Sequence, residues 1–129
     1  MNKIANSSGF TLIEIMIAMF VLAVGLLGAA GVATTVINGN AFSNKITTAT
    51  TLAQDKMEEI SNLGYSGTPS SDTTTTEDYN SITSYPTYKR VTGVVVNSPA
   101  AGMKTIEVVV AFPWKGSPHN ATLKTIVAE

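Results

Sequence analysis

Hydrophobic and polar positions divide the chain into stretches with different patterns. Residues 1–9 are polar and carry a single charge, Lys3. Residues 15–33 then contain no charged, amide or hydroxyl side chain. Because a helix of about 20 apolar residues crosses the hydrocarbon core of a bilayer, residues 10–33 are predicted to form a membrane-spanning helix.

The next stretch, residues 34–64, alternates between apolar and polar positions at helical spacing. Apolar side chains recur at steps of three and four, at Ile46, Ala49, Ala53, Met57 and Ile60. This pattern predicts an amphipathic continuation of the helix with one apolar face. Gly64 is a suitable C-cap, and Asn38-Gly39-Asn40 is a point where the helix could kink.

Residues 65–129 are predicted to form a loop followed by a small antiparallel sheet. Residues 65–87 are rich in Ser, Thr and Asp, which is typical of a surface loop. Three segments rich in β-branched residues follow at short intervals: 88–96, 103–112 and 120–127. The expected fold is α+β, in which a long N-terminal helix packs against an antiparallel sheet of three or four strands.

Composition excludes several classes of site. The 129-residue chain has no cysteine, so disulfides and thiolate metal sites are impossible, and its net charge of −1 argues against a strongly nucleic-acid-binding protein. Asp72, Glu77 and Asp78 match no calcium-loop spacing, and the single histidine, His119, is interpreted as a turn residue. No catalytic constellation is present, so we expect neither an enzyme nor a cofactor.

One carboxylate stands at the head of the apolar run. Glu14 follows Gly9-Phe10-Thr11-Leu12-Ile13, and a charge inside a bilayer costs about 2.5–3.5 kcal/mol on the insertion scale. A partner for Glu14 is therefore expected. A purely local explanation is a capping box, because Thr11 and Glu14 fit the S/T-x-x-E pattern at a helix N-terminus.

The Gly9–Glu14 motif followed by an apolar helix resembles the class III signal sequence of type IV pilins and type II secretion pseudopilins. The chain is most similar to PilV-type minor pilins in three stretches: 22–28, 52–58 and 122–127. Two features differ from many major pilins: Gly31 stands where they carry a proline, and the C-terminal cysteine pair is missing.

The resemblance implies a maturation and assembly route. A prepilin peptidase would cut between Gly9 and Phe10, removing leader residues 1–9, and would methylate the new amine of Phe10. The chain would sit in the inner membrane with a single span and an extracytoplasmic head, until an inner-membrane assembly platform moved it into an extracellular pilus or a periplasmic pseudopilus. There the Phe10 amine would pair with Glu14 of a neighbouring pilin subunit.

Three alternatives to a minor pilin remain open at this point. One is a secretion pseudopilin, and another is a single-span protein that never polymerises. The third is a pilus-associated module that binds DNA or a surface through a basic sheet face. Basic residues are concentrated in the sheet half of the chain, at Lys89, Arg90, Lys104, Lys115 and Lys124.

Overall fold

The computed structural model describes residues 9–129 and contains two helices and four strands. Helix α1 spans Leu12–Asn62 and the short helix α2 spans Gly64–Gly67, while the strands are β1 (Thr73–Glu77), β2 (Lys89–Val96), β3 (Met103–Trp114) and β4 (Ser117–Ala128). The chain divides after Asn40 into two compact units, which are described separately below. Residues 1–8, which belong to the predicted leader, lie outside the described part.

In the first unit, every described residue up to Ile37 is exposed. The apolar segment of α1 is long and hydrophobic enough to cross a membrane, as the sequence predicts. The chain is assigned as helix through Asn38, Gly39 and Asn40. Glycine in a helix interior costs only about 1 kcal/mol relative to alanine, which a continuous helix tolerates.

The second unit packs one face of α1 onto a four-stranded antiparallel sheet ordered β1-β2-β3-β4. Alternate residues of β3 point inward, and Ile106, Val108, Val110 and Phe112 are completely buried. From α1, the predicted apolar stripe supplies Ala49, Ala53 and Ile60 to the same core, and Leu52 beside the stripe is buried with them. The predicted α+β fold is therefore confirmed. Gly64 follows α1 with φ +65°, the left-handed conformation expected just beyond a helix C-terminus.

The loop predicted over residues 65–87 is wrong for residues 73–77, which form β1. All five residues pair with β2, from Thr73 opposite Val94 to Glu77 opposite Arg90. The side-chain oxygen Oδ1 of Asp72 accepts a hydrogen bond from the Val96 N–H (2.9 Å) beside this pairing. Threonine favours strands, but a run of polar residues has no alternation that would reveal a strand from the sequence.

The turn between the second and third predicted strand segments, 103–112 and 120–127, is tighter than their bounds imply. Strand β3 continues to Trp114 and β4 begins at Ser117, so Lys115 and Gly116 alone form the turn, with φ values of +49° and +82°. Positive φ at both central residues is the type I′ geometry that suits a two-residue hairpin. Pro113 and Pro118 lie opposite each other next to the turn. This is a position where neither proline nitrogen has to donate a ladder hydrogen bond.

His119 also lies in a strand rather than in a turn. Its ring stacks on Phe112, with the ring centroids 5.9 Å apart and the planes at 25°, and it meets Phe42 edge to face at 5.2 Å. The extension of β4 toward the tight turn brings it opposite Phe112. His119 thus belongs to an aromatic cluster over the end of the core.

Arg90 joins three elements of the second unit. Its Nε and Nη2 donate to the two carboxylate oxygens of Glu77 at 2.6 and 2.8 Å, and its Nη1 donates to the Leu52 carbonyl of α1 at 3.1 Å. The hydrogen bond from Arg90 is the main reason why the pKa of Glu77 lies below its ordinary value. Asp78 beside it also has a lowered pKa, through the Tyr79 N–H and then Lys89.

This contact predicts a pH dependence of stability. A carboxyl pKa that is lower in the folded state contributes stability above the unfolded pKa, and the contribution disappears as the pH falls through the folded value. We expect Glu77→Gln to lower the free energy of unfolding by about 1 kcal/mol at neutral pH. The difference from wild type should vanish well below the ordinary carboxyl pKa of 4.5. Urea unfolding of both chains across this range is the measurement, and a difference that persists in acid would contradict the assignment.

Candidate functional site

The candidate site lies at the start of α1, where Gly9, Phe10 and Thr11 precede the first helical residue, Leu12. The Phe10 side chain is 79% exposed. Gly9 has no neighbouring atom within 4 Å of the position that a Cβ would occupy, so the folded chain leaves this junction open. A peptidase therefore meets no steric obstruction at Gly9 from the described residues.

Thr11 caps the helix, as the local explanation of the motif predicts. Its hydroxyl accepts the Glu14 N–H at 3.3 Å, and its carbonyl accepts the N–H groups of Glu14 and Ile15 at 3.1 and 3.3 Å. These bonds satisfy N–H groups of the first turn that have no partner within the helix. The capping box is only half formed, because among residues 9–129 no bond links the Glu14 carboxylate to the Thr11 N–H.

The Glu14 carboxylate is exposed, and no donor or cation contacts it within residues 9–129. It is also the only charged side chain between Lys3 and Lys45. Phe10 and Glu14 lie together along a shallow groove on one side of the helix. The structure thus places both predicted pairing residues on one face of the helix, with the carboxylate still available.

The rest of the groove was not singled out from the sequence. It is lined by four apolar side chains, of which Ala18 and Leu22 follow Glu14 at steps of four and Ile15 and Met19 each lie one residue after a member of that row. That spacing, counted from the carboxylate, is the signal that could have identified them. Apolar surface on both sides of a single carboxylate suits close packing against another apolar helix. In such packing, the carboxylate provides one charged contact at a fixed position.

The basic sheet face considered for DNA or surface binding does not include Lys104. Its side chain is buried, and its Nζ donates to the carbonyls of Tyr65 at 2.7 Å and Thr68 at 2.9 Å. Of the other four basic residues, Lys89, Arg90 and Lys124 each contact a carboxylate of the same chain. Most of the positive charge of the sheet is therefore balanced within the chain.

Metal-binding chemistry has no visible basis in the described residues. Between Gly9 and Glu129, no group of three or more His, Asp or Glu side chains is placed to hold a metal ion. Asp72 bonds to a backbone N–H, while Glu77 and Asp78 contact Arg90 and Lys89 respectively.

Comparison with known proteins identifies the N-terminal segment. Residues 4–30 match the family model of the prokaryotic N-terminal methylation motif. No curated protein and no solved structure gives a significant match to the chain. The matched residues contain Gly9, Phe10, the capping Thr11 and Glu14, together with most of the exposed apolar helix. The chain therefore carries the class III prepilin signal in residues 4–30.

Proposed function

We propose that this chain is a structural subunit of a type IV pilus, and specifically a minor pilin of the PilV type. In this proposal a prepilin peptidase cuts between Gly9 and Phe10 and methylates the Phe10 amine. The inner-membrane assembly platform then moves the subunit from the bilayer into a filament with other pilins. The methylation motif and the exposed apolar helix that follows it support this route.

The observation that carries the proposal is the Glu14 carboxylate, which has no donor among residues 9–129 and stands at the head of a membrane-spanning segment. Such a group is costly in a bilayer unless it is paired. Cleavage after Gly9 would create a cationic amine on Phe10, and methylation keeps that charge. Two opposite charges about 4 Å apart attract by roughly 4 kcal/mol in an environment of intermediate polarity, which offsets their desolvation.

Pairing between neighbouring copies would also set the register of a filament. The amine lies on one subunit and the carboxylate on the next, so the contact is heterologous and can repeat without closing into a ring. Apolar helices alone would slide past one another, because their side chains pack similarly in several positions. A single charged contact within the Phe10–Leu22 groove would select one position.

A fractionation experiment tests the proposal directly. Surface filaments are sheared from cells, inner membranes are isolated separately, and the N-terminus of the chain in each fraction is determined by mass spectrometry. We expect methylated Phe10 as the first residue in both fractions, and we expect the chain to be present in the sheared filaments. An intact Met1 in all fractions would refute the proposal, and a trimmed chain confined to the cell envelope would instead indicate a secretion pseudopilin.

Substituting Gly9 tests the processing step alone. Gly9→Leu is expected to reduce trimmed product by at least about tenfold, a change equivalent to about 1.4 kcal/mol in the processing step. Because the structure leaves the Cβ position of Gly9 open, the substitution should not disturb the folded chain. The ratio of trimmed to untrimmed chain on immunoblots measures the effect. Ala5→Leu adds similar bulk elsewhere in the leader and should be trimmed normally, while normal trimming of Gly9→Leu would contradict the assigned junction.

A further inference from the structure

The sheet of the second unit ends in two strands that each pair on one side only. β1 (Thr73–Glu77) pairs with β2, and β4 (Ser117–Ala128) pairs with β3. Within residues 9–129 no other strand joins either edge. The outer main-chain N–H and C=O groups of such strands are ready to pair with another strand. β4 is 12 residues long, which is well above the usual strand length of about 5–6 residues.

The two edges carry opposite charge. Asp72, Glu77 and Asp78 lie at the two ends of β1, whereas Lys115 precedes β4, Lys124 lies within it and a single acid, Glu129, follows it. Several of these charges have partners in the same chain: Arg90 contacts Glu77, Lys89 contacts Asp78 at 3.4 Å, and Glu107 contacts Lys124 at 3.0 Å. Within residues 9–129, Asp72 bonds only to the Val96 N–H, and Lys115 lies over the Trp114 ring.

Each edge also borders apolar surface that the chain leaves partly uncovered. Beside β1 is a crevice whose apolar walls include Pro69, Val94 and Leu63, and the Leu63 side chain is 56% exposed. Thr92 also lines this crevice, and its buried hydroxyl has no hydrogen-bond partner among the described residues. On β4, Leu123 and Val127 are only half-buried.

We propose that β1 of one copy of this chain pairs with β4 of a second copy, so that the sheet continues from head to head. The four strands alternate in direction. Two copies in the same orientation therefore bring β4 of one beside β1 of the next in antiparallel pairing. The opposite charges of the two edges favour this contact over β1 with β1 or β4 with β4. This inference rests on the proposed function in one respect: a filament, or a shared membrane, brings similarly oriented heads together.

One register of this pairing brings opposite charges together on the same face of the sheet. Antiparallel alignment that places Asp72 of one copy opposite Lys124 of the next also places Thr74 opposite Thr122. Each of these pairs lies on the outer face of the sheet, because Thr74 and Lys124 both align with the Gly93–Glu107 pair. In the same alignment, the half-buried Leu123 of one copy comes next to the apolar crevice beside β1 of the other copy. This contact covers apolar surface on both copies.

A cysteine pair tests this contact, because the chain has no cysteine of its own. Thr74→Cys and Thr122→Cys change exposed threonines on opposite edges of the sheet. Within one chain the two positions are three strand spacings apart, about 14 Å, whereas a disulfide needs Cα atoms within about 7 Å. The full-length double variant is expressed in cells, oxidised mildly in membranes and in sheared filaments, and separated on non-reducing gels. A short bismaleimide is used in parallel to tolerate a shift of register.

We expect the double variant to form a ladder of dimers, trimers and larger species, with at least about tenfold more crosslinked chain than either single variant. Co-expressed single variants should give dimers only, since each copy then offers one reactive edge. Dimers from Thr74→Cys alone, or no ladder with either reagent, would overturn the proposal. The N-terminus of the chain is determined on the same material, so trimmed chain in filaments without a ladder refutes the edge pairing and leaves the proposed function standing.

Discussion

Replacing Glu14 by alanine is expected to leave the chain in the inner membrane and to reduce its incorporation into filaments by at least about tenfold. The substitution removes the only charge of the apolar segment, so membrane insertion becomes easier rather than harder. In the proposed pairing it also removes the partner of the Phe10 amine, which would then be buried without a counter-charge in a filament. The ratio of chain in sheared filaments to chain in membranes measures the effect.

Two control variants separate pairing from capping. Thr11→Ala removes the hydroxyl that accepts the Glu14 N–H and should cost the helix about 1 kcal/mol, but it keeps the carboxylate. It is expected to enter filaments nearly normally. Glu14→Gln keeps the size of the side chain and loses the charge, so it should behave like Glu14→Ala. If Thr11→Ala fails as severely as Glu14→Ala, or if Glu14→Gln assembles normally, the pairing role is wrong.

The helix and the core sheet strands were predictable from the sequence because both depend on repeated burial. The apolar stripe that ends at Ile60 and the alternation through Ile106, Val108, Val110 and Phe112 both lie in the observed core. In each case a periodic pattern over several residues reports which face is buried. The motif of residues 9–14 was recognisable for a different reason, namely the combination of specific residue types at fixed spacing.

The features missed from the sequence depend on single contacts between distant residues. β1 is a run of threonines that becomes a strand because β2 lies beside it, and Arg90 reaches Glu77 across that pairing. Lys104 occupies one of the inward-facing positions in the alternation of β3, where a charged residue is not expected. Only the fold shows that two backbone carbonyls receive its ammonium group.

These contacts also change how the charges of the chain are understood. From the sequence, the basic residues of the sheet half formed one candidate surface. In the structure, Lys104 is internal, and Arg90 joins β1 and β2 to α1. Of the five basic residues of the sheet half, only Lys115 contacts neither a carboxylate nor a backbone carbonyl among residues 9–129. This pairing within the chain argues against the nucleic-acid-binding alternative, since broad positive charge is what drives nucleic-acid binding.

Lys104→Met is expected to lower the free energy of unfolding of the second unit by about 2 kcal/mol. Two charge-assisted hydrogen bonds, each worth about 1.5–3 kcal/mol, are lost to the carbonyls of Tyr65 and Thr68. Part of this loss is offset because methionine fills a similar volume without the desolvation cost of a buried ammonium group. Thr68 is itself only 2% exposed, so water cannot easily replace the missing donor and the net effect remains destabilising.

The matched control is Lys124→Met, on the neighbouring strand β4. Lys124 pairs with Glu107 at the surface, where such contacts contribute little, and its replacement should change the free energy of unfolding by no more than about 0.5 kcal/mol. Urea unfolding of the full-length chain in detergent, followed by Trp114 fluorescence, compares the two variants. Hydrogen exchange adds a local test, because amides of residues 64–72 should exchange faster in Lys104→Met alone. Equal stability of the two variants would show that the buried ammonium group does not hold this segment against the sheet.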